Sequence, residues 1–248
     1  MVLKALQGAL GFFSRLPVGH DATAWNAFRD RPASMPLTGY IIGSLIVLPL
    51  VIPGSPPTIA FAFVVAVYLV TGINHIDGVI DLGDALVVHG GPTERRVVMK
   101  DTTIGAGGAL AVAMVVLGLA TAGLTLAALP IQAVLLVITA EVGAKLGMAL
   151  LVCFGSAPHE GLGSALTTHA DPHSAILVGA VAVPAAVLTW PRIGVATTVL
   201  LAAVIVTFGS LRWARINLGG VSGDVLGATN EIIRIVALHV GVFVWTHW

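Results

Sequence analysis

The chain has 248 residues, of which 57% are hydrophobic and only 10% are charged, and its mean hydropathy is +0.99. A soluble domain is about 25% charged and 45–50% apolar, so the composition excludes a water-soluble globule, a disordered chain, a collagen-like repeat and a disulfide scaffold. Cys153 is the one cysteine, and 12 Lys+Arg against 12 Asp+Glu leave no net basic field for nucleic acid. What remains is an all-α, polytopic integral membrane helix bundle, read as one membrane domain over residues 1–248.

The first sixteen residues carry apolar side chains at helical spacing, interrupted by Lys4, Gln7 and Arg15. That pattern predicts an interfacial or re-entrant helix rather than a span. Arg15 and Pro17 stand where a signal peptide would need small residues for cleavage. A crossing helix needs about 20 mostly apolar residues. Seven stretches approach this, at 36–53, 58–74, 104–128, 130–153, 174–190, 193–211 and 232–247, so about seven spans are expected, within a range of about 6–8.

Counting crossings along that frame puts ten of the 12 cations on one side, Arg192 alone on the other, and Lys145 inside a span. The positive-inside rule makes the rich side cytoplasmic. The acids follow: Asp21, Asp30, Asp77, Asp81, Asp84, Glu94, Asp101, Glu160, Asp171, Asp224 and Glu231 all map to that side or its boundary, and only Glu141 lies within a span. Carboxylates barely influence topology. A one-sided active site is the simplest cause of their gathering.

Three stretches carry the chemistry. In Asn74-His75-Ile76-Asp77-Gly78-Val79-Ile80-Asp81-Leu82-Gly83-Asp84, the aspartates fall at i, i+4 and i+7, one above another on a helix face that Asn74 shares. Like charges at this spacing repel, and a hard cation such as Mg²⁺, bound by carboxylates, water and phosphate, resolves the repulsion. The competing reading is a solvated acidic face at the end of a span. In Lys100-Asp101-Thr102-Thr103-Ile104-Gly105-Ala106-Gly107-Gly108, small residues open a helix whose N-terminal amides can face an anion, with Lys100 as a point charge and Asp101 as a further metal ligand. A plain helix cap at Thr102 or Thr103 is the alternative. In Gly219 to Glu231, Asp224 and Glu231 are seven apart, on one face if the segment is helical.

Glu141 and Lys145, at i and i+4 within the fourth span, read equally as a structural ion pair or as substrate contacts, since charges at this depth cost roughly 2.5–3.5 kcal/mol each. His159, His169 and His173 match no zinc spacing and read as a solvated loop with room for substrate contacts. His20, His89, His239 and His247 read as incidental. With no P-loop, Gly-x-Ser-x-Gly or Cys-x-x-Cys, nucleotide-driven pumping, serine hydrolysis and redox chemistry lose support. The residues favour Mg²⁺-dependent chemistry on a phosphate or diphosphate at the cytoplasmic boundary.

Six motifs then stand in order: Phe13-Ser14-Arg15-Leu16-Pro17-Val18, Pro36-Leu37-Thr38-Gly39, His75-Ile76-Asp77-Gly78-Val79-Ile80-Asp81, Lys100-Asp101-Thr102 before Ile104-Gly105, Glu160-Gly161-Leu162-Gly163, and Gly219-Gly220-Val221-Ser222-Gly223-Asp224-Val225-Leu226-Gly227-Ala228. Together they resemble the cobalamin synthases, the adenosylcobinamide-GDP ribazoletransferases. The resemblance implies a multi-pass enzyme of the cell membrane, with Mg²⁺ as cofactor and its active site on the cytoplasmic face. Such an enzyme joins adenosylcobinamide-GDP to α-ribazole or its 5′-phosphate, releasing GMP late in cobalamin (vitamin B12) biosynthesis.

On that resemblance Asp77, Asp81 and Asp84 are catalytic and bind metal, Asp101 and Asp224 are further metal ligands, and His75 or a carboxylate accepts the hydroxyl proton. Arg15, Asn74, Lys100, Thr102 and Glu231 are expected to bind substrate. The lipid bilayer is a partner, nucleic acid is not, and a homo-oligomer is compatible with the reading. Two departures stand out: Asp84 precedes Ala85 where the family has Asp-Gly, and Lys100-Asp101-Thr102-Thr103 replaces Arg-Asp-Ser-Arg. Lysine offers phosphate a point charge in place of a bidentate fork. The rival in chemistry, a CDP-alcohol phosphotransferase of phospholipid synthesis, needs Ala-Arg after Asp-Gly, whereas Val79 follows here. A transporter would spread polar residues through its spans and show repeats.

Overall fold

Proline and glycine divide the chain into helices, and the computed structural model describes residues 1–19 and 21–248; His20 lies outside the described residues. Among the described residues there is no β-strand. A short helix α1 (Val2–Phe13) is followed by α2 (Ala22–Arg29), α3 (Ser34–Ile46), α4 (Pro56–Thr71), α5 (Asn74–Val87) and α6 (Pro92–Val98). Then come α7 (Ala106–Leu126), α8 (Leu136–Phe154), α9 (Leu162–Thr167), α10 (Ser174–Ala182), α11 (Ile193–Asn217) and α12 (Gly223–His247).

Each of the seven expected spans falls on a helix, namely α3, α4, α7, α8, α10, α11 and α12. Four are long and apolar enough to cross outright: α7, α8 with the 3₁₀ turn before it (Ile131–Phe154), α11 and α12. α4 and α5 qualify only as a pair, bent by 100°, so we read α4 as entering the membrane and α5 as turned across the bundle end. The bend lies at Gly72, where φ is +72°, a conformation that costs glycine nothing. α1, α3 and the segment Ser174–Val187 are shorter apolar helices. At about 1.5 Å per residue, α1 is too short for a hydrocarbon core of about 30 Å, in line with its interfacial reading.

α8 is buried on nearly every face, its Glu141 and Lys145 included, and forms the axis. Of its most apolar stretch 89% is buried, against 28% for α7 and 33% for α11, which leaves those two with broad exposed apolar faces. α3 reaches α8 closely because Gly39 and Gly43 lie against it: a Cβ at either would come within 2.7 Å of the Val142 or Ile138 Cα. Small residues at such contacts are what helix association in a membrane requires.

Three features depart from expectation. The stretches expected as polar loops hold short helices, α2 capped by the Asp21 carboxylate on the Ala24 amide, α6 and α9. α12 starts at Gly223 rather than 232, with the Ser222 hydroxyl as its N-terminal acceptor. Its polar first turns face the bundle instead of lipid, which is why hydropathy alone placed the start too late. Arg234, expected with the boundary cations, is therefore wholly buried. With Lys145 and Arg234 both inside, nine of the 12 cations, not ten, belong to the acidic end. Arg192 stays at the other end, against the Trp245 ring and carbonyl.

Candidate active site

The acidic end is built from α5 laid against α12 and α7. Gly78 permits the first contact, since a Cβ there would lie 2.6 Å from the Asp224 carbonyl oxygen. Gly83 and Gly107 permit the second, with a Cβ at 107 only 2.4 Å from the Gly83 carbonyl oxygen. These approaches carry Asp77 and Asp81 of α5 to Asp224 in the first turn of α12.

The three aspartates of α5 share a helix face as expected, yet meet three environments. Asp77 is exposed, Asp81 is half-buried and Asp84 is buried. Asp84 accepts the Gly105 and Gly108 amides, each at 2.8 Å. It is thus a carboxylate counter-charge for the N-terminus of α7. The anion facing those amides is Asp84 itself, and the cap residue is Gly105 rather than Thr102 or Thr103. Asp101 is exposed and accepts the Thr103 amide and hydroxyl at 2.9 and 2.8 Å, which holds its carboxyl below the usual range. Lys100 and Thr102 are exposed beside it. Arg15 is exposed as well, with its methylenes over Gly72 at the α4–α5 bend.

Asp77, Asp81 and Asp224 are left facing one another. Burial, and then the charges of Asp224, Asp77 and Asp84, push the Asp81 carboxyl up to about 6. Among the described residues, no Lys or Arg pairs with any of these acids. No three His, Cys, Asp or Glu side chains there form a ready-made metal cage. All-oxygen donors without a counter-cation nevertheless suit a hard ion whose shell is completed by water and phosphate, the usual manner of Mg²⁺.

Beside them opens a cleft of about 440 Å³ lined by Asn74, His75, Asp77, His159, Ser222 and Asp224, with Phe12 and Met148 on its apolar wall. A second recess of about 560 Å³, between α1 and α2, shares Phe12 and Asn74 with it and adds Trp25. His159, expected in a solvated loop with room for substrate contacts, lines the cleft; the Glu160-Gly161-Leu162-Gly163 turn docks at the start of α12, where a Cβ at Gly163 would lie 2.3 Å from the Val221 carbonyl oxygen. Ser222 donates to the Asp224 carboxylate at 3.2 Å.

Below the cleft lies a buried polar network. Arg234 donates to Glu141 and to both oxygens of Glu231. Lys145 lies 3.6 Å from Glu141 and donates to Asn230 Oδ1 at 2.6 Å. The Asn230 amide nitrogen is 3.1 Å from both Glu231 Oε1 and His75 Nδ1. Two acids and two bases thus cancel inside the bundle, so Glu141 and Lys145 belong to a four-charge cluster rather than a simple pair. Glu231, expected to bind substrate, is 1% exposed and faces Arg234. Asn230 and Arg234 were invisible as site residues in the sequence. Their one signal is the i+4 spacing that puts Asn230 and Arg234 on one face of an otherwise largely apolar helix.

The family described as cobalamin-5-phosphate synthase matches residues 5–242. The chain is similar to proteins named adenosylcobinamide-GDP ribazoletransferase in three archaea. The Halorubrum lacusprofundi protein is 52% identical over all of both chains. That of Haloquadratum walsbyi is 45% identical over 99% of each, and that of Methanocella arvoryzae 35% identical over 98% of this chain and 97% of its own. No solved structure matches the chain.

Proposed function

The chain belongs to the cobalamin-5-phosphate synthase family, and from that premise we propose that it transfers the cobinamide phosphoryl group of adenosylcobinamide-GDP to α-ribazole or its 5′-phosphate. GMP is the leaving group. The observation that carries the reading is the contact of Gly78 with Asp224, which gathers oxygen donors beside a cleft at the bundle end. The transfer proceeds by attack of the ribazole 5′-hydroxyl on the cobinamide-bound phosphorus. Its proton passes to a base of the cleft.

Asp77, Asp81 and Asp224 would hold Mg²⁺, which when bound offsets charge on the transferring and leaving oxygens. Asp84 acts at one remove by pinning α5 to α7. Asn74, which lines both recesses, would touch both substrates, and Trp25 and Phe12 offer ring faces for a planar base. Arg15, Lys100 and Thr102 would supply polar contacts to the diphosphate. The concentration of cations at this end supports a cytoplasmic active site in the cell membrane.

The test uses purified protein in nanodiscs with adenosylcobinamide-GDP and α-ribazole, with GMP followed by chromatography. GMP release that requires both acceptor and Mg²⁺ supports the reading. Release without acceptor, or no release at any Mg²⁺ concentration, contradicts it.

A further inference from the structure

Asn230 is wholly buried between a group that can only donate and a histidine. Its Oδ1 accepts from Lys145 Nζ at 2.6 Å. An ammonium has no acceptor, so the amide orientation is fixed and Nδ2 faces the other way. Nδ2, which can only donate, lies 3.1 Å from Glu231 Oε1 and 3.1 Å from His75 Nδ1, so both accept from it. A ring nitrogen that receives an N–H hydrogen bond holds a lone pair, which leaves the ring proton on Nε2. Glu231 Oε1 is also near Nδ1 but farther, at 3.5 Å, and already accepts from Arg234 and Asn230. Nε2 meets no partner among the described residues and is not one of the buried orphaned atoms. It opens on the cleft that His75 lines with Asp77 and Asp224.

We propose that Asn230, oriented by Lys145, is a positioning residue that locks His75 with its proton on Nε2, so that His75 donates a hydrogen bond to a phosphate oxygen and is not the base. This rests on the phosphoryl-transfer reading of the cleft. The acceptor hydroxyl oxygen forms the new O–P bond and its proton passes to a carboxylate. The bond from phosphorus to the bridging oxygen breaks, and its electron pair leaves on GMP. His75 gains and loses no proton; its Nε2–H steadies negative charge on the transferring group. The Phe13 ring, 5.0 Å from Lys145 Nζ and 6.1 Å from the imidazole centroid, closes the remaining side of the pair.

The tautomer is read without substrate, from ¹⁵N shifts of histidine-labelled protein in nanodiscs, with His75→Gln assigning the resonances. The wild type is expected to show a bare Nδ1 and a protonated Nε2. Asn230→Leu removes the donor, leaves Glu231 as the polar neighbour of Nδ1, and is expected to move the proton to Nδ1. A protonated Nδ1 in the wild type overturns the proposal. So does an unchanged tautomer in a folded Asn230→Leu; if that variant does not fold, the wild-type spectrum decides.

Kinetics give the second arm. His75→Gln keeps an amide N–H near the Nε2 position but has no basic nitrogen. Its kcat is expected to stay within about tenfold of wild type, while His75→Leu loses about a hundredfold. Equal losses overturn the donor role. Absence of transfer in the wild type would sink the proposed function, while the spectra would still judge the tautomer.

Discussion

Gly78 sits against the backbone of Asp224: a Cβ at position 78 would lie 2.6 Å from the Asp224 carbonyl oxygen and 2.9 Å from its Cα. Backbone cannot swing aside as a side-chain tip can, so the two helices meet only because residue 78 has no side chain. Gly78→Ala is expected to force α5 and α12 apart at the point where their carboxylates converge. Overpacking of this kind costs about 1–3 kcal/mol, and a misplacement near 1 Å at reacting groups costs about a hundredfold in rate. Transfer should therefore fall far more than the unfolding midpoint, which a paired assay and thermal melt would show.

Asp81 and Asp84 should respond in opposite directions. Asp84 satisfies two amides of α7, so Asp84→Ala is expected to lose about 1–3 kcal/mol of stability. The Asp81 carboxyl is pushed up to about 6 from 3.8, by burial and then by neighbouring carboxylates. A carboxyl raised in the folded state binds its proton more tightly there than in the unfolded chain. Metal-free stability therefore falls as pH rises from 3.8 to about 6 and stays lower above it. Asp81→Asn removes that cost. Without divalent metal, its melting temperature should exceed wild type at pH 7.5 and the advantage should shrink by pH 4.5. Saturating Mg²⁺ should stabilise wild type and leave the variant unmoved.

Among the described residues, Arg234 is the one cation paired with both Glu141 and Glu231. Arg234→Met leaves two buried carboxylates with Lys145 alone, and breaking such a cluster costs about 3–5 kcal/mol. Replacing all four charges by Leu and Met of similar volume is expected to recover most of the loss, since the network cancels internally. Recovery of stability without recovery of transfer would separate its structural role from its hold on His75, and chemical denaturation in detergent gives the comparison.

Orientation is accessible to labelling. A single cysteine at 100 in a Cys153→Ser background should react with an impermeant maleimide only from the cytoplasmic side, and one at 192 only from the opposite side. The expectation follows from the cation asymmetry. Reversed reactivity would place the cleft on the far face.

The sequence was most readable where its periodicity was simple. Runs such as 106–126 and 193–211 carry no charged residue on any face and disclose helices directly. The Asp77, Asp81, Asp84 spacing correctly put three acids on one face of α5, because helical period is local. What each acid does depends on which neighbour it meets. Asp84 is drawn to the α7 amides, and that pairing joins residues more than twenty apart in the chain. Arg234 and Asn230 escaped for a different reason: hydropathy treats a polar residue at a helix start as solvated, whereas here the polar stripe faces Glu141 and Lys145 inside the bundle.

The central claim is that Asp77 and Asp224, carried by two helices, act together on one phosphoryl group. Steady-state GMP release by wild type, Asp77→Asn, Asp224→Asn and the double variant tests it. Each single variant is expected to lose about a hundredfold or more in kcat, and the double little beyond the worse single, as for residues acting as a unit. Independent, multiplying losses, or full activity in a folded Asp224→Asn, would contradict the account.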